Sequence, residues 1–399
     1  MSIPQELLDL IVHYIPNDAD LDNTLRVCTY TFRGLAGPAR LRLLRSLQLT
    51  PIVTNGGIHM ANKCQRLLKL LDSPRNMGAL IHALHIVESP SDELPWIVKA
   101  SRTLSLILPS LVNLRHFYLR SKLQTLQWEL FSRSFKAAIE KIASQLDTLS
   151  LRGVFIKLTD TAHRQQILAI IAKSPKLTRV VLCFREPWYY EEAEFPLLPE
   201  RQAGGGLESL VVGGRSMPTQ VVFGPLDLTF LRVLAVQSHS ESLTPLVQVC
   251  ARAKMLEELY MWPGTQYGLQ LGSIGLSAFP RLRVLHICDR WEPPSLRQVV
   301  EECCTIPTLQ HVSFEFRMYV SSIPRPSMSA DQIDAWNALG AAVTARPSTL
   351  EDVRVTIPVL YAQDKLWADD FLAQHAMGDF IAIRVRAYEN PRDDPNWWG

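Results

Sequence analysis

Arginine, histidine and aromatic side chains recur at fixed places within a short apolar pattern, and their chemistry is that of partner binding. Arg, Tyr and Trp are favoured at the centres of protein interfaces because they combine a large contact area with hydrogen-bonding groups. The residues concerned occupy positions 3 and 5 of a six-residue pattern and the position directly after it. They are His116, Tyr118, Arg120, Arg152, Arg179, Glu258, Tyr260, Trp262, His286, His311, Glu315, Arg354, Arg384 and Arg386. We expect this set to form a target-binding surface.

No residue arrangement in the sequence matches a catalytic signature. The phosphate-binding loop and the motifs GxGxxG, HExxH and GxSxG are absent. His85, His286 and His311 lie on separate repeats, so we expect solvated imidazoles there. Cys303 and Cys304 are neighbours on a predicted helix and point in different directions, which disfavours both a metal site and a catalytic thiol. The sequence therefore predicts a protein that is not an enzyme and that has no cofactor and no metal.

Charge and cysteine content exclude further classes. The chain has 399 residues, with 41 basic and 39 acidic side chains and a net charge of +2, so bulk charge favours neither nucleic acid nor a membrane surface. No apolar run approaches the roughly 20 residues that span a bilayer. The seven cysteines are odd in number and lack CxxC spacing, which indicates reduced thiols and a cytoplasmic or nuclear location.

The elements that must position the binding residues repeat along most of the chain. In residues 282–287, Leu282, Leu285 and Ile287 occupy positions 1, 4 and 6 of the apolar pattern. Positions 4 and 6 point to the same face of a short strand, and position 1 covers the strand edge. The first residues of the repeats lie about 30 residues apart, a typical solenoid period. They are Leu44, Ile81, Leu114, Leu146, Leu177, Leu207, Leu231, Leu256, Leu282, Leu309, Leu350 and Phe380.

Stretches of helical apolar spacing alternate with these strands. The predicted helices are Ile58 to Leu71, Leu94 to Leu108, Leu130 to Ala143, Ala162 to Ala172, Leu243 to Ala253, Leu296 to Cys303, Ala330 to Ala345 and Lys365 to Met377. An insertion at 186–206 carries three aromatic and four acidic residues in its first nine positions, and the sequence leaves open whether it binds a partner or is a surface loop.

This alternation resembles the leucine-rich repeats. A unit of one strand and one helix cannot bury its apolar face alone, so neighbouring units stack into a continuous core. The Asn or Cys that usually follows the strand is absent, and the spacing of the repeats varies. Over residues 46–399 the resemblance implies an α/β fold, an irregular leucine-rich-repeat solenoid with parallel strands on the concave face and helices on the convex face. The target-binding set would then line the concave face.

Residues 1–45 form a separate helical segment before the repeats. Pro4 suits the first position of a helix, and Leu7, Ile11 and Ile15 recur at fourfold spacing in a helix from Glu6 to Ile15. Because apolar residues lie on further sides of this helix, we expect it to contact partners on more than one face. A second helix runs through Cys28, and Gly37-Pro38 is expected to start a third, from Pro38 to Leu47.

The same segment resembles an F-box, most closely the short F-box-like segments that open many fungal proteins. The matching stretches are 3–11, IPQELLDLI, then 24–28, TLRVC, and Arg33-Gly-Leu35. Leu35 stands where the family has Trp, Phe32 stands where it often has Cys, and the first residue is Ile3. The resemblance implies docking to a small Skp-family adaptor and, through it, to a cullin-RING ubiquitin ligase. The implied adaptor contacts are Pro4, Leu7, Leu8, Ile11, Leu25 and Leu35.

Two functions remain open at this point. In the first, the chain is a substrate-recognition adaptor of an SCF-type (Skp-cullin-F-box) ubiquitin ligase, in which the repeats bind a target protein of unknown identity. In the second, it is a free-standing interaction scaffold whose degenerate F-box serves only as the N-terminal cap that a repeat array needs.

Overall fold

The computed structural model describes the chain over residues 4–15, 21–31, 33–50, 53–54, 57–58, 60–72, 77–88, 95–121, 126–155, 161–172, 174–183, 206–214, 226–238, 252–263, 276–289, 293–316, 349–359 and 381–385, and at 334, 337–338, 341–342, 345 and 347. The chain forms two compact units. The first takes in Met1–Tyr189 and Arg201–Gly206, and the second takes in Tyr190–Glu200 and Leu207–Gly399. The boundary predicted at residue 45 lies inside the first unit and stays a prediction.

Three helices begin the first unit. They are α1 (Gln5–His13), α2 (Leu21–Thr31) and α3 (Arg33–Arg45). Val12, Leu25 and Ala39, one from each helix, are buried together at their centre. Arg42 of α3 donates to the carbonyls of Val12, His13 (3.2 Å) and Ile15 (2.8 Å), which lie at the C-terminal end of α1. A cation there stabilises carbonyls that have no partner within their own helix.

The predicted start of the third helix at Gly37-Pro38 is wrong, because α3 begins at Arg33 and both residues lie inside it. Proline has no N–H, so Pro38 cannot donate to the carbonyl of Gly34 one turn earlier. The side-chain amide of Gln5, from α1, donates to that carbonyl at 3.4 Å. A contact between helices thus compensates for the bond that the proline removes.

A parallel sheet of five strands follows in the first unit, and its strand order is the chain order. The strands are β1 (Ser46–Leu49), β4 (Ala83–Glu88), β5 (His116–Ser121), β7 (Thr148–Arg152) and β9 (Arg179–Cys183). Two small pairs accompany it, β2 (Val53–Thr54) with β3 (Gly57–Ile58) and β6 (Leu126–Gln127) with β8 (Val154–Phe155).

Helices fill the connections of this sheet, as the apolar spacing predicts. They are α4 (Met60–Leu71), α5 (Trp96–Ser110), α6 (Arg133–Ala143) and α7 (Thr161–Ala172), with short 3₁₀ turns at Met77–Leu80 and Trp128–Leu130. At the start of α5, the buried Glu88 accepts a hydrogen bond from the backbone N–H of Ile97 through Oε2 at 3.0 Å. A carboxylate at this place is stabilised by the positive end of the helix dipole.

The second unit contains a parallel sheet of seven strands, again in chain order. They are β10 (Ser209–Gly214), β11 (Val233–Ser238), β12 (Glu258–Pro263), β13 (Val284–Asp289), β14 (His311–Phe316), β15 (Asp352–Val359) and β16 (Ile381–Val385). Helix α8 (Pro293–Cys304) confirms one predicted helix. The helices predicted at 243–253 and 365–377 and the insertion at 186–206 lie outside the described residues, apart from Arg252, Ala253 and Gly206. The helix predicted at 330–345 is described only in part.

Strand register follows the apolar pattern at nearly every step within each unit. Position 4 of one repeat pairs with position 4 of the next, as Leu84 does with Phe117, and position 6 behaves alike. The last step differs, because the pattern predicts Val355 beside Val385 whereas the structure pairs Val355 with Ile381. Strand β15 continues to Val359, so it offers β16 an alternative apolar row.

The backbone at position 2 links each strand to the next. The carbonyl of Arg115 accepts from the N–H groups of Asp147 (2.7 Å) and Thr148 (3.0 Å). The carbonyls of His82, Asp147, Glu208, Arg232, Glu257 and Arg283 accept two N–H groups in the same way. In the second unit the side chains also pair at this edge, where Arg232 donates to Glu257 Oε1 at 2.6 and 2.9 Å. These bonds fix the starts of β5, β7, β9, β11, β12, β13 and β14.

Among the described residues, no helix is both long and apolar enough to cross a lipid bilayer.

Candidate functional site

Four apolar side chains form a stripe along the outer side of α1. Leu7, Leu10, Ile11 and Tyr14 stand at i, i+3, i+4 and i+7, and each is exposed over about half of its surface or more. We call these four residues the helix-1 stripe. The opposite side of α1 presents Leu8 and Val12, which are both buried, and Val12 belongs to the cluster with Leu25 and Ala39. One apolar face of α1 is therefore buried within the unit, and the expectation of a partner on a second face stays a prediction.

The six residues implied as adaptor contacts divide into two groups. Pro4, Leu7 (50% exposed) and Ile11 (51%) lie at the surface. Leu8 (4%) and Leu25 (1%) are buried, so they stabilise the three-helix cluster and are not presented to a partner. Leu35 is half-buried and packs against the same buried cluster. The family resemblance alone does not separate these roles, because it marks apolar positions without their direction.

Sequence reasoning missed several exposed apolar residues nearby. Leu10 and Tyr14 complete the helix-1 stripe, and α2 exposes Val27 and Tyr30. The sequence contained the signal, because residues 7, 10, 11 and 14 have the spacing of helix anchors that dock into a groove. Exposed apolar side chains at this spacing make α1 a candidate interaction surface.

The face of the first sheet formed by positions 3 and 5 carries basic and aromatic side chains, and Thr148, Ser150 and Val181 at the same positions are buried. Half-buried on it are His116, Tyr118, Arg120, Arg152 and Arg179, as the spacing rule predicts. The residues of positions 4 and 6, such as Phe117 and Leu119, are fully buried on the other face. None of the described residues at outward positions of β1, β4, β5, β7 and β9 is acidic. We call this surface the basic face.

Two side-chain pairs order the basic face. The imidazole of His85 stacks on the ring of Tyr118, with centroids 4.3 Å apart and planes 9° from parallel. His116 Nδ1 forms a hydrogen bond with Thr148 Oγ1 at 3.1 Å. The expectation of a solvated His85 is wrong, because register places it beside Tyr118 on the neighbouring strand. The spacing rule does select His85 as a position 5 residue, so strand pairing was the missing information.

Burial and nearby cations lower two histidine pKa values on this unit. Burial, then the charge of His116, lowers the pKa of His85. Burial, then Arg45, Arg115 and His116, lowers the pKa of His82. Both imidazoles therefore stay neutral in the folded protein at pH values where they gain a proton in the unfolded chain.

The folded state is expected to lose stability on acidification. Because the folded pKa values are lowered, the unfolded chain binds these protons first, so stability is complete above the ordinary histidine pKa of about 6.5 and falls as pH drops below it. A His85→Phe variant keeps a ring beside Tyr118 and removes one titrating group. In urea unfolding between about pH 7.5 and pH 5, the free energy of unfolding should fall less steeply for this variant than for the unmodified protein. Equal slopes for both proteins would contradict the prediction.

The corresponding face of the second sheet includes an acidic residue among its described side chains. Glu258, Tyr260 and His286 are half-buried, and His311 is exposed, as expected for a solvated imidazole. The Tyr260 hydroxyl donates to Glu258 Oε2 at 3.1 Å, and its ring lies 6.0 Å from that of His286. His286 is therefore not isolated, contrary to expectation. For Trp262, Glu315, Arg354 and Arg384 the structure describes the backbone of β12, β14, β15 and β16 but not the side chains, and Arg386 lies outside the described residues.

The chain matches no protein-family model, and a search of curated proteins finds no match. The F-box and leucine-rich-repeat resemblances therefore rest on the residues and motifs given above.

The two buried thiols, Cys64 and Cys303, lack the environment of a reactive cysteine. Burial raises the pKa of the Cys64 thiol to about 11. The pKa of Cys303 is also raised, mainly by burial and then by Glu302 and Cys304. A protonated buried thiol is a poor nucleophile and a poor metal ligand. Within the described residues, no three His, Cys, Asp or Glu side chains come together as a metal site.

Proposed function

We propose that the chain is a substrate-recognition adaptor of an SCF-type ubiquitin ligase. Helices α1 to α3 dock a Skp-family adaptor that is joined to a cullin-RING ligase, and the repeats bind the target protein. The observation that carries the proposal is the helix-1 stripe, an apolar docking surface on the segment that resembles an F-box. The two parallel sheets, each in chain order with a register that follows the apolar pattern, support an irregular leucine-rich-repeat solenoid. This function places the chain in the cytoplasm or the nucleus.

The helix-1 stripe has the spacing that helix-in-groove recognition requires. Anchors at i, i+3, i+4 and i+7 project from one side of a helix and enter a hydrophobic groove together. Complete burial of each such side chain contributes roughly 1.5–3 kcal/mol before ordering costs, and half of that remains available for the half-exposed Leu7 and Ile11. The buried side of α1 and the Arg42 contacts hold this helix in place before it binds. A preorganised helix loses less entropy on docking.

A double substitution on the stripe is expected to abolish adaptor binding. Leu7→Asp with Ile11→Asp removes two anchors and would place two carboxylates in an apolar groove, so affinity should fall by about 100-fold or more. The measurement is co-purification of the full chain with a fungal Skp-family adaptor, followed by calorimetry on the complex. Circular dichroism should show an unchanged fold, because both side chains are already exposed.

A matched control uses exposed apolar residues away from the stripe. Leu106 and Val112 of the first unit are exposed to a similar degree, so Leu106→Asp with Val112→Asp makes the same chemical change at another place. This variant should bind the adaptor like the unmodified chain. Equal binding by the stripe variant, or no binding by the intact chain, would reject the proposal.

A second function, a free-standing scaffold with a helical cap, is favoured by one observation. Helix α3 ends at Arg45 and β1 begins at Ser46, so the helical segment continues into the first strand without a linker. Such an arrangement suits a cap that covers the first edge of a sheet. Failure of the intact chain to bind any Skp-family adaptor, with target binding retained, would favour this function.

A further inference from the structure

We infer that a cavity at the strand starts of the second sheet binds a small molecule that carries a phosphate or carboxylate group. The cavity lies where β12 to β15 begin and has a volume of about 480 Å³. Pockets for small molecules have volumes of about 300–1,000 Å³. The inference goes beyond the proposed function, because neither adaptor docking nor target binding requires a small ligand in the second unit.

Four side chains at position 2 of successive repeats border this cavity. They are Glu257, Arg283, Gln310 and Glu351, and each directly precedes a strand of the sheet. The strands pair in register, so the same position of each repeat comes to the same edge of the sheet. Arg281, two residues before Arg283, borders the cavity as well. The repeat pattern therefore brings charged and amide groups together at one edge.

Two arginines at this edge make the same contact with different partners. Arg232 donates through Nε and Nη2 to Glu257 Oε1, at 2.9 and 2.6 Å. Arg283 donates through the same two atoms to Gln310 Oε1, at 2.9 and 2.8 Å. Because an amide carries no charge, Gln310 holds the guanidinium of Arg283 in place without neutralising it. Three of the five N–H groups of this guanidinium are left for a ligand.

A second uncompensated cation borders the cavity. Arg281 is exposed, and its side chain forms no hydrogen bond or ion pair with any described residue. Glu257 is already neutralised by Arg232. Glu351 is the other acidic residue in the described lining, and it is exposed, so its carboxylate can turn towards solvent. The cavity therefore presents two uncompensated cations, Arg281 and Arg283, against one anion.

The chemistry of arginine selects an oxyanion as the ligand group. The planar guanidinium matches the geometry of carboxylate and phosphate and donates charge-assisted hydrogen bonds to both. An oxyanion in the cavity accepts such bonds from Arg281 and Arg283 and balances their excess charge. A divalent cation is disfavoured, because it requires several oxygen ligands and is repelled by the two arginines.

Isothermal titration calorimetry of the full chain measures this binding. The probes are inorganic phosphate and succinate at constant ionic strength, and sodium chloride is the comparison. We expect an oxyanion to bind with a dissociation constant of about 1 mM, whereas chloride should give no saturable heat. Tighter binding of phosphate would assign the cavity to phosphate esters, and tighter binding of succinate would assign it to carboxylic acids.

Substitutions at the two arginines are expected to weaken the binding of both probes. Arg281→Gln should weaken it at least about tenfold, and the further change Arg283→Gln should weaken it again. Both side chains are exposed, so the fold should be retained, which circular dichroism checks. Arg297→Gln is the matched control, since it removes an exposed arginine of α8 that pairs with Glu301, and it should bind phosphate like the unmodified chain.

Two further variants change the charge of the cavity without removing an arginine. Gln310→Glu gives Arg283 the carboxylate partner that Arg232 already has, so affinity for phosphate should fall about tenfold. Glu351→Gln removes a charge of the same sign as the ligand, so affinity should rise roughly fivefold. These opposite effects distinguish an oxyanion site from a cavity that takes up solutes without selectivity.

Two results would overturn the inference. The first is the absence of saturable heat when phosphate or succinate is added to the intact chain. The second is an unchanged affinity in the double arginine variant and in Gln310→Glu. The variant with Leu7→Asp and Ile11→Asp should bind phosphate unchanged, so a failure of adaptor docking and a failure of this site are separate results.

Discussion

Replacing Phe117 by alanine is expected to destabilise the first unit by about 3–5 kcal/mol. Phe117 occupies position 4 of its repeat on β5, and its ring is fully buried. Its register partners are Leu84 on one side and Leu149 on the other, so the ring fills the middle of a row that crosses the sheet. The substitution leaves a cavity that close-packed neighbours fill only partly.

Urea unfolding of the full chain measures this loss, and hydrogen exchange locates it. Peptides from β4, β5 and β7 should lose protection, while peptides from β11 to β14 should keep it, because repeats communicate mainly through their neighbours. Phe230→Ala is the matched control, since Phe230 is exposed and its removal should cost little. A similar loss for both variants would mean that Phe117 is not a packing centre.

Replacing Gly78 by alanine is expected to cost about 2 kcal/mol or more, because the new methyl group meets backbone that cannot move freely. A Cβ at this position would lie 2.1 Å from the carbonyl oxygen of Ser110 and 3.1 Å from its carbon. Gly78 lies in the short turn before β4, and Ser110 ends α5. The methyl group would therefore force the end of this helix away from the turn.

Gly37 offers the matched control for this change. It lies within α3, and in the described part of the chain a Cβ there would meet no atom within 4 Å beyond its own helix and neighbours. Gly37→Ala should stabilise the protein by roughly 0.5–1 kcal/mol, since alanine loses less backbone entropy in a helix. The midpoints of thermal unfolding of the two variants test these opposite effects. The clash at Gly78 would be disproved if both changes shifted the midpoint in the same direction.

The sequence predicts the repeats well because their signal is local. Positions 1, 4 and 6 lie within six residues, and Leu282, Leu285 and Ile287 are all fully buried as expected. Within each unit, the apolar pattern alone predicts the strand register up to β15. The register of β16 differs, because the longer β15 offers a second apolar row. The helices between strands were predicted from the same kind of local spacing, and five of them are described close to the expected places.

The candidate sites were harder to predict because they depend on contacts between elements. Leu8 and Leu7 are adjacent in an apolar run, and only the packing of α1 on α3 decides that Leu8 is buried and Leu7 exposed. The stacking of His85 on Tyr118 joins two strands 33 residues apart, so no single repeat reveals it. Inside α3, the carbonyl that Pro38 cannot pair with accepts a hydrogen bond from Gln5, a residue of another helix.

The agreement between strand order and chain order bears on how the protein is made. Among the described strands of each sheet, every strand pairs with the ones that precede and follow it in the sequence. A strand that leaves the ribosome therefore pairs with a strand that lies about 30 residues earlier in the sequence and has already been synthesised. Its pairing does not require a distant later segment. Each sheet can lengthen one strand at a time during translation, with the newest strand serving as the template for the next.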